Sequence, residues 1–374
     1  MIKQRKIAFF SYDMRVGGAE KMILTLLPWF INAGYSIDLV LVKKTGAFLT
    51  DIDPRVNLIS LKKEHVSQSL FPLIRYFKKS KPDVFISNLT HLNIVTIIAK
   101  IFSGTCSKII ITEHNTITAN NLENGGKESI LVFLSKFLYP LADKTVVVSE
   151  GAAQNLIDAI RINPNKVQNI YNPIDIDHIH LLAKEQINES WLTEKSIPVL
   201  IAVGRLEQQK NFSFLMDVFQ TLIKKRKARL LILGEGSERQ MLEQQMIAYG
   251  IENEVKLPGI KTNPYPYISN ADILVCTSKY EGFNITLAES LACGTPVISM
   301  NCPYGPAEIL DNGTYGQLIP PGDRDGMVDA IIAAIDHPES LPSKEKLMER
   351  AKRFSAEKIF SEYQELFLKE FFKD

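Results

Sequence analysis

Residues 279–299, KYEGFNITLAESLACGTPVIS, decide how this chain is read. They lie between two short apolar runs, 273–275 and 297–298, so the local pattern is strand, loop, helix, strand. Asn284 or Thr286 caps the start of the helix, and Gly294, Thr295 and Pro296 end it. Glu289 then falls inside the helix among Leu287, Ala288, Leu291 and Ala292, an apolar setting in which a carboxylate needs a hydrogen-bond donor. A ligand with hydroxyls supplies one. Glu281 stands eight residues earlier, where Gly282 leaves the backbone open and the first helix amides point outward. Two carboxylates beside an anion-binding helix start suit a molecule with hydroxyls, then a diphosphate, then hydroxyls again. A Glu near a helix start is also favoured by the helix dipole alone, so the spacing by itself is weak.

The frame makes it specific. The EGF tripeptide, the helix start and the closing ACGTPVI resemble the donor site of retaining glycosyltransferases of family 4. The resemblance implies an α/β protein of GT-B fold, two facing Rossmann-like domains with a deep interdomain cleft. It also implies that Glu281 holds the sugar hydroxyls, that Glu289 holds the ribose, and that the helix start at Gly282, Phe283, Asn284 and Ile285 meets the donor.

Earlier in the chain, a strand at 7–10 runs into SYDMRVGGAE and a helix; Gly17 and Gly18 there allow a phosphate or sugar close to the backbone, although a tight strand-to-helix turn explains them too. No G-x-G-x-x-G follows this strand, which disfavours a dehydrogenase. Strands and helices then alternate at 36–42, 70–79, 83–87, 93–102, 108–112 and 144–149, the pattern of an open parallel sheet whose ligands gather at strand carboxyl ends. His91, His114 and Ser149 all follow strands. A histidine at a strand end is more often structural than catalytic. The family, however, often has one after this strand that contacts the donor sugar near its reacting carbon, which implies that role for His114 in IIITEHNT. The same resemblance places the Gly17–Gly18 loop across the cleft from the donor phosphates.

Residues 69–81 and 129–141 mix aromatic and aliphatic residues with lysines, as interfacial helices do, and equally as helices packed on a sheet do. Asn172-Pro173 breaks regular structure and resembles the linker between GT-B halves. Asp51-x-Asp53 and Asp175-x-Asp177 have the spacing of metal-dependent glycosyltransferases of another fold, but one sits in a turn and the other after the hinge, so turn and capping roles are expected and no catalytic metal is.

In the second half, a strand at 199–203 leads into GRLEQQKN. Arg205 and Lys210, five apart before a helix, suit a diphosphate, the first by a forked geometry and the second as a point charge, although a solvated pair on a loop explains them too; the segment resembles the family's pyrophosphate clamp. Gly234 and Ile260 fall where the family places loops around the nucleotide. Residues 301–308 resemble the segment flanking the donor site.

At 374 residues the chain is long enough for two domains, and the resemblance sets them at 1–172 on the acceptor side and 196–355 for the nucleotide sugar, with a linker at 173–195 and a last helix, about 356–374, packing back on the first. The net charge is +1, yet the stretch through His180 has 21 Lys and Arg against 15 Asp and Glu, a net of +6, so the first half is expected to face something anionic. No nucleic-acid partner is expected. Four cysteines without a C-x-x-C pair read as reduced core residues. Lys3, Arg5 and Lys6 lead straight into a strand, not a secretory leader, and no apolar run spans a bilayer, so a cytoplasmic protein is expected.

Together these readings describe a retaining transferase that moves a hexose or N-acetylhexosamine from a nucleotide sugar, a UDP-sugar by family habit, to a saccharide hydroxyl. The nucleotide sugar is a co-substrate and no cofactor is implied. The basic, aromatic first half favours a polyprenyl-diphosphate-linked acceptor at the inner face of the cytoplasmic membrane, in bacterial polysaccharide or glycan assembly. The rival readings are a GT-B nucleotide-sugar epimerase and a non-catalytic glycan- or nucleotide-binding protein.

Overall fold

The computed structural model describes residues 4–116, 118 and 127–372. They divide into two compact units, one of residues 1–174 and 356–374, the other of 175–355.

In the first unit the apolar runs become strands and the amphipathic runs become the helices that cover them. In chain order these are β1 (Lys6–Ser11), α1 (Gly18–Asn32), β2 (Ser36–Leu41), β3 (Asn57–Ser60), α2 (Leu70–Ser80), β4 (Val84–Asn88), α3 (Thr90–Ser103), β5 (Lys108–Glu113), α4 (Lys127–Leu138), β6 (Lys144–Val147), α5 (Glu150–Ile160) and β7 (Val167–Asn169). The seven strands form one parallel sheet in the order β3-β2-β1-β4-β5-β6-β7. Its centre is buried on both faces, as in Ile7, Phe9, Phe10, Phe85 and Ile110.

The two stretches of mixed aromatic and basic character have different fates. Helix α2 turns Leu73, Tyr76 and Phe77 into the core and leaves Phe71 76% exposed. Helix α4 instead exposes Ile130, Phe133, Leu134 and Phe137, with Leu141 just beyond it; the rings of Phe133 and Phe137 meet at 4.9 Å. Among the described residues no helix is long and apolar enough to cross a membrane. Cys276, Cys293 and Cys302 are buried thiols, whereas Cys106 is exposed, contrary to a core role for all four.

The second unit begins with α6 (Ile176–Leu182), within the stretch expected to be linker. It continues with β8 (Val199–Val203), α7 (Phe212–Ile223), β9 (Arg229–Leu233), α8 (Arg239–Tyr249), β10 (Val255–Lys256), α9 (Tyr265–Asn270), β11 (Ile273–Cys276), α10 (Ile285–Cys293), β12 (Val297–Met300), β13 (Gln317–Ile319), α11 (Arg324–Asp336) and α12 (Lys344–Ala351). Its six strands are again parallel, in the order β10-β9-β8-β11-β12-β13. Residues 279–299 therefore fold as loop, α10 and β12, and Gly294 ends α10 at a φ of +73°, a conformation that favours glycine.

The last helix, α13 (Ala356–Glu370), belongs to the first unit. It seats Phe360, Tyr363 and Phe367 around Phe30 of α1, with ring centroids 5.0, 6.2 and 5.7 Å away.

Candidate functional site

Loops at the carboxyl ends of β8, β9 and β11 assemble the second unit's candidate site. Gly204 leaves room for the stem of Lys210, whose Cε lies 3.2 Å from where a Cβ would stand. Thr277 donates its hydroxyl to the carbonyls of Lys210 and Asn211 at 3.1 and 3.2 Å, and the Lys279 amide donates to the Gln209 carbonyl at 2.8 Å, so the β8 and β11 loops are laced together. The Lys210 ammonium thereby reaches Oε1 of Glu281 at 2.5 Å. The same oxygen accepts from Ser278 Oγ at 2.7 Å and Asn284 Nδ2 at 3.3 Å. Glu281 is 5% exposed. Burial opposes the charge on Lys210, but the Glu281 carboxylate outweighs it and raises the lysine's pKa. Arg205, at the other end of the β8 loop, is exposed and 3.5 Å from the Gln209 side-chain oxygen.

The start of α10 departs from the capping expectation. Asn284 does occupy the cap position, with φ +63°, but its side chain makes no cap bond and turns to Cys276 Sγ at 3.2 Å and to Glu281. Thr286 lies inside the helix. No side chain caps α10, and Ile285 follows as its first residue. Phe283 is buried with its ring edge-on to Phe354 at 5.2 Å, so a donor contact there is left to its backbone. Beside Gly282, the Glu281 amide donates to the Pro303 carbonyl and the Tyr304 amide to the Glu281 carbonyl, both at 2.9 Å, which holds residues 301–308 against the site.

Glu289 is buried, as the apolar flanks demanded, and has a protein donor: the Tyr265 hydroxyl at 3.2 Å. Burial and then the Glu289 charge push the Tyr265 phenol far up, so it stays protonated as that donor. Gly234, at φ +150°, donates to the Gly259 carbonyl at 3.0 Å, and a Cβ there would stand 1.8 Å from the Gly204 carbonyl oxygen. Ile260 is 58% exposed on the neighbouring loop. Arg205, Lys210, Gly234, Ile260, Glu281 to Ile285 and Glu289 are thus all on the second unit, on its β8, β9, β10 and β11 loops and on α10.

Gly17, Gly18 and His114 lie on the first unit, at the carboxyl ends of β1 and β5. Gly17 precedes α1 in extended conformation, and a Cβ there would meet the Glu20 carboxylate at 2.3 Å. His114 is buried, its Nε2 3.1 Å from Asn88 Oδ1; burial lowers its pKa to about 4, against a smaller opposing effect of Asn172. The ring is therefore neutral near pH 7. Next to it, Glu113 accepts from the Tyr139 hydroxyl, from Asn93 at 3.0 Å and from Thr90 at 3.0 Å. Burial nevertheless raises the Glu113 carboxyl to about 7.

Sequence reasoning passed over Gln209, Ser278, Tyr265 and the partners of Glu113. Gln209 and Ser278 were within reach as polar neighbours of quoted motifs; Tyr265, 24 residues from Glu289, gave no sign. Asp175 caps α6 by accepting from the His178 amide at 3.0 Å, and Asp53 holds Arg55 at 2.6 Å in a turn. Among the described residues, no group of three or more His, Cys, Asp or Glu could hold a metal ion.

Two family profiles match the chain: Glycosyltransferase Family 4 over residues 16–178 and Glycosyl transferases group 1 over residues 183–354. The chain is 27% identical to the N-acetylgalactosamine-N,N'-diacetylbacillosaminyl-diphospho-undecaprenol 4-alpha-N-acetylgalactosaminyltransferase of Campylobacter jejuni, over 95% of this chain and 97% of that one. It is 25% identical to the lipopolysaccharide 1,6-galactosyltransferase of Salmonella typhimurium, over 86% and 88%. Its fold resembles that of Anabaena HepE, solved in complex with UDP and glucose, with a TM-score of 0.81 at 20% identity over 98% of this chain and all of that one. Motifs, parallel-sheet architecture and profiles agree: the chain belongs to family 4 of the glycosyltransferases, the group 1 glycosyl transferases of GT-B fold, and is an enzyme acting with nucleotide sugars.

Proposed function

We propose that the protein transfers a hexose or N-acetylhexosamine from a UDP-sugar, with retention, to a hydroxyl of a lipid-linked saccharide in bacterial surface polysaccharide or glycan assembly. The observation that carries this reading is the Lys210–Glu281 pair, held at 2.5 Å beside the uncapped start of α10, with Lys210 on the same loop as the exposed Arg205. Arg205 and Lys210 take the charge of the departing diphosphate, with no metal ion in the role, and the first amides of α10 assist. Glu281 takes the sugar hydroxyls, Glu289 the ribose, and neutral His114 a hydroxyl near the reacting carbon. The bond from the anomeric carbon to the diphosphate breaks as the acceptor oxygen attacks on the same face, and the acceptor's proton passes to the leaving phosphate.

The Campylobacter relative, by its name, works on an undecaprenol-linked diphosphosaccharide. The exposed stripe of Ile130, Phe133, Leu134, Phe137 and Leu141 supports a similar acceptor here, at the inner face of the cytoplasmic membrane, since a lipid surface covers such a stripe. Thermal unfolding with UDP, GDP and ADP tests the donor: UDP alone stabilises, by about 2.7 kcal/mol at ~100 times its Kd, and Arg205→Ala removes the effect. Sugar transfer to undecaprenyl-diphosphate-linked acceptors, with the anomeric configuration read by NMR, tests the rest. Inversion, or turnover of the nucleotide sugar without acceptor, sinks the reading.

A further inference from the structure

We propose that the first unit carries a second anion site, at the amino ends of β1, β4 and β5, that takes a phosphate group. A cavity of about 650 Å³ opens there, within the range of small-molecule sites. Topology assembles it: Arg5 immediately precedes β1, Asp83 precedes β4 and Ser107 precedes β5, and these three strands are neighbours in the sheet. Lys78 and Lys81 come from the end of α2. The cavity is thus at the opposite strand ends from Gly17 and His114.

Three features point to a phosphate. Arg5, Lys78 and Lys81 bring three positive charges, and among the described residues no carboxylate pairs with any of them. The Arg5 guanidinium carbon lies 4.0 Å from the centroid of the Phe372 ring, and a guanidinium has the N–H geometry to form a fork on an oxyanion. Asp83, the acid in the wall, already accepts from the Lys6 amide at 2.7 Å. Lastly, Ser107 is 5% exposed and its hydroxyl has no hydrogen-bond partner among the described residues, a rare state for a buried polar group that an acceptor oxygen would relieve.

The phosphate comes either from a soluble phosphorylated compound or from an anionic lipid headgroup; Ile101 and Phe102, exposed just before the Ser103 and Gly104 that line the cavity, flank it with apolar surface. The test is calorimetric titration of the whole protein with inorganic phosphate, with co-sedimentation on phosphatidylglycerol and phosphatidylcholine vesicles as a second arm. We expect saturable phosphate binding that weakens tenfold or more in Arg5→Ala/Lys81→Ala, recovers in Arg5→Lys/Lys81→Arg and is unchanged in Arg205→Ala. Circular dichroism shows that every variant is folded, and UDP binding shows it again for the Arg5 and Lys81 variants. Binding to phosphatidylglycerol vesicles that fails in the alanine variant names the lipid source; phosphate binding without vesicle binding names the soluble one. The proposal falls if phosphate does not bind saturably, or if its affinity depends on Arg205 and not on Arg5 and Lys81.

Discussion

The Lys210–Glu281 pair is a buried ion pair to which a role in donor binding is also proposed, and the two contributions can be separated. Removing one partner of a buried pair costs on the order of 3–5 kcal/mol, because the other charge stays behind in a site that cannot solvate it. Lys210→Met is therefore expected to lose about that much stability in urea unfolding, and Lys210→Met/Glu281→Gln to regain most of it while turnover remains absent. Full activity in Glu281→Gln would remove Glu281 from the mechanism. Glu113 gives a pH prediction. Its carboxyl is raised to about 7 from an ordinary value of 4.5, so between those values the folded state binds the extra proton. The stability it contributes is complete below pH 4.5 and lost as the pH rises through 7. Glu113→Gln, which keeps the neutral shape, should therefore gain in melting temperature relative to the wild type as the pH rises from 4.5 to 7 and hold that gain at higher pH; a difference that stays constant from pH 4.5 to 7 would contradict the assignment.

At the scale of elements, the second unit's site depends on three loops locked backbone to backbone. Leu206 donates to the Glu235 carbonyl at 2.9 Å, Gly204 to Leu233 at 3.0 Å and Gly234 to Gly259 at 3.0 Å. Gly234→Ala places a methyl 1.8 Å from the Gly204 carbonyl oxygen, where only backbone movement relieves the clash. The β8 loop that carries Arg205 and Lys210 must shift, so nucleotide affinity is expected to fall tenfold or more, about 1.4 kcal/mol, in a protein whose circular dichroism is unchanged. Calorimetry with UDP checks this. Affinity equal to the wild type's would mean that the loop's position does not matter to the donor.

At the scale of the whole molecule, the first unit is discontinuous in sequence. Its core includes Phe360 and Phe367 from α13, and the Ala356 amide donates to the Ile174 carbonyl at 2.9 Å. Losing one buried phenylalanine costs roughly 3–5 kcal/mol, and losing α13 removes several aromatic side chains at once. Residues 1–174 expressed alone are expected to be unfolded or aggregated. The same residues joined to 356–374 by a flexible linker should melt cooperatively. A cooperative transition in the shorter fragment would show that α13 is dispensable to this core.

The alternation of central strands and helices, the parallel sheets and the residues 279–299 as loop, helix and strand were legible in the sequence, because hydrophobic periodicity and Gly-Pro punctuation are local properties, whereas the short outer strands β3, β7, β10 and β13 were not. So were the motif positions of Arg205, Lys210 and Glu281, and with them the family. What each side chain touches was decided by tertiary structure. The sequence placed Glu289 in an apolar helix, but only the fold brought Tyr265 to it across 24 residues. Helix α2 and the segment holding α4 had the same mixed composition, yet one turned its apolar residues into the core and the other left them in the open. That choice depends on which face the sheet and neighbouring helices can cover, a question of packing between distant segments that no local pattern contains.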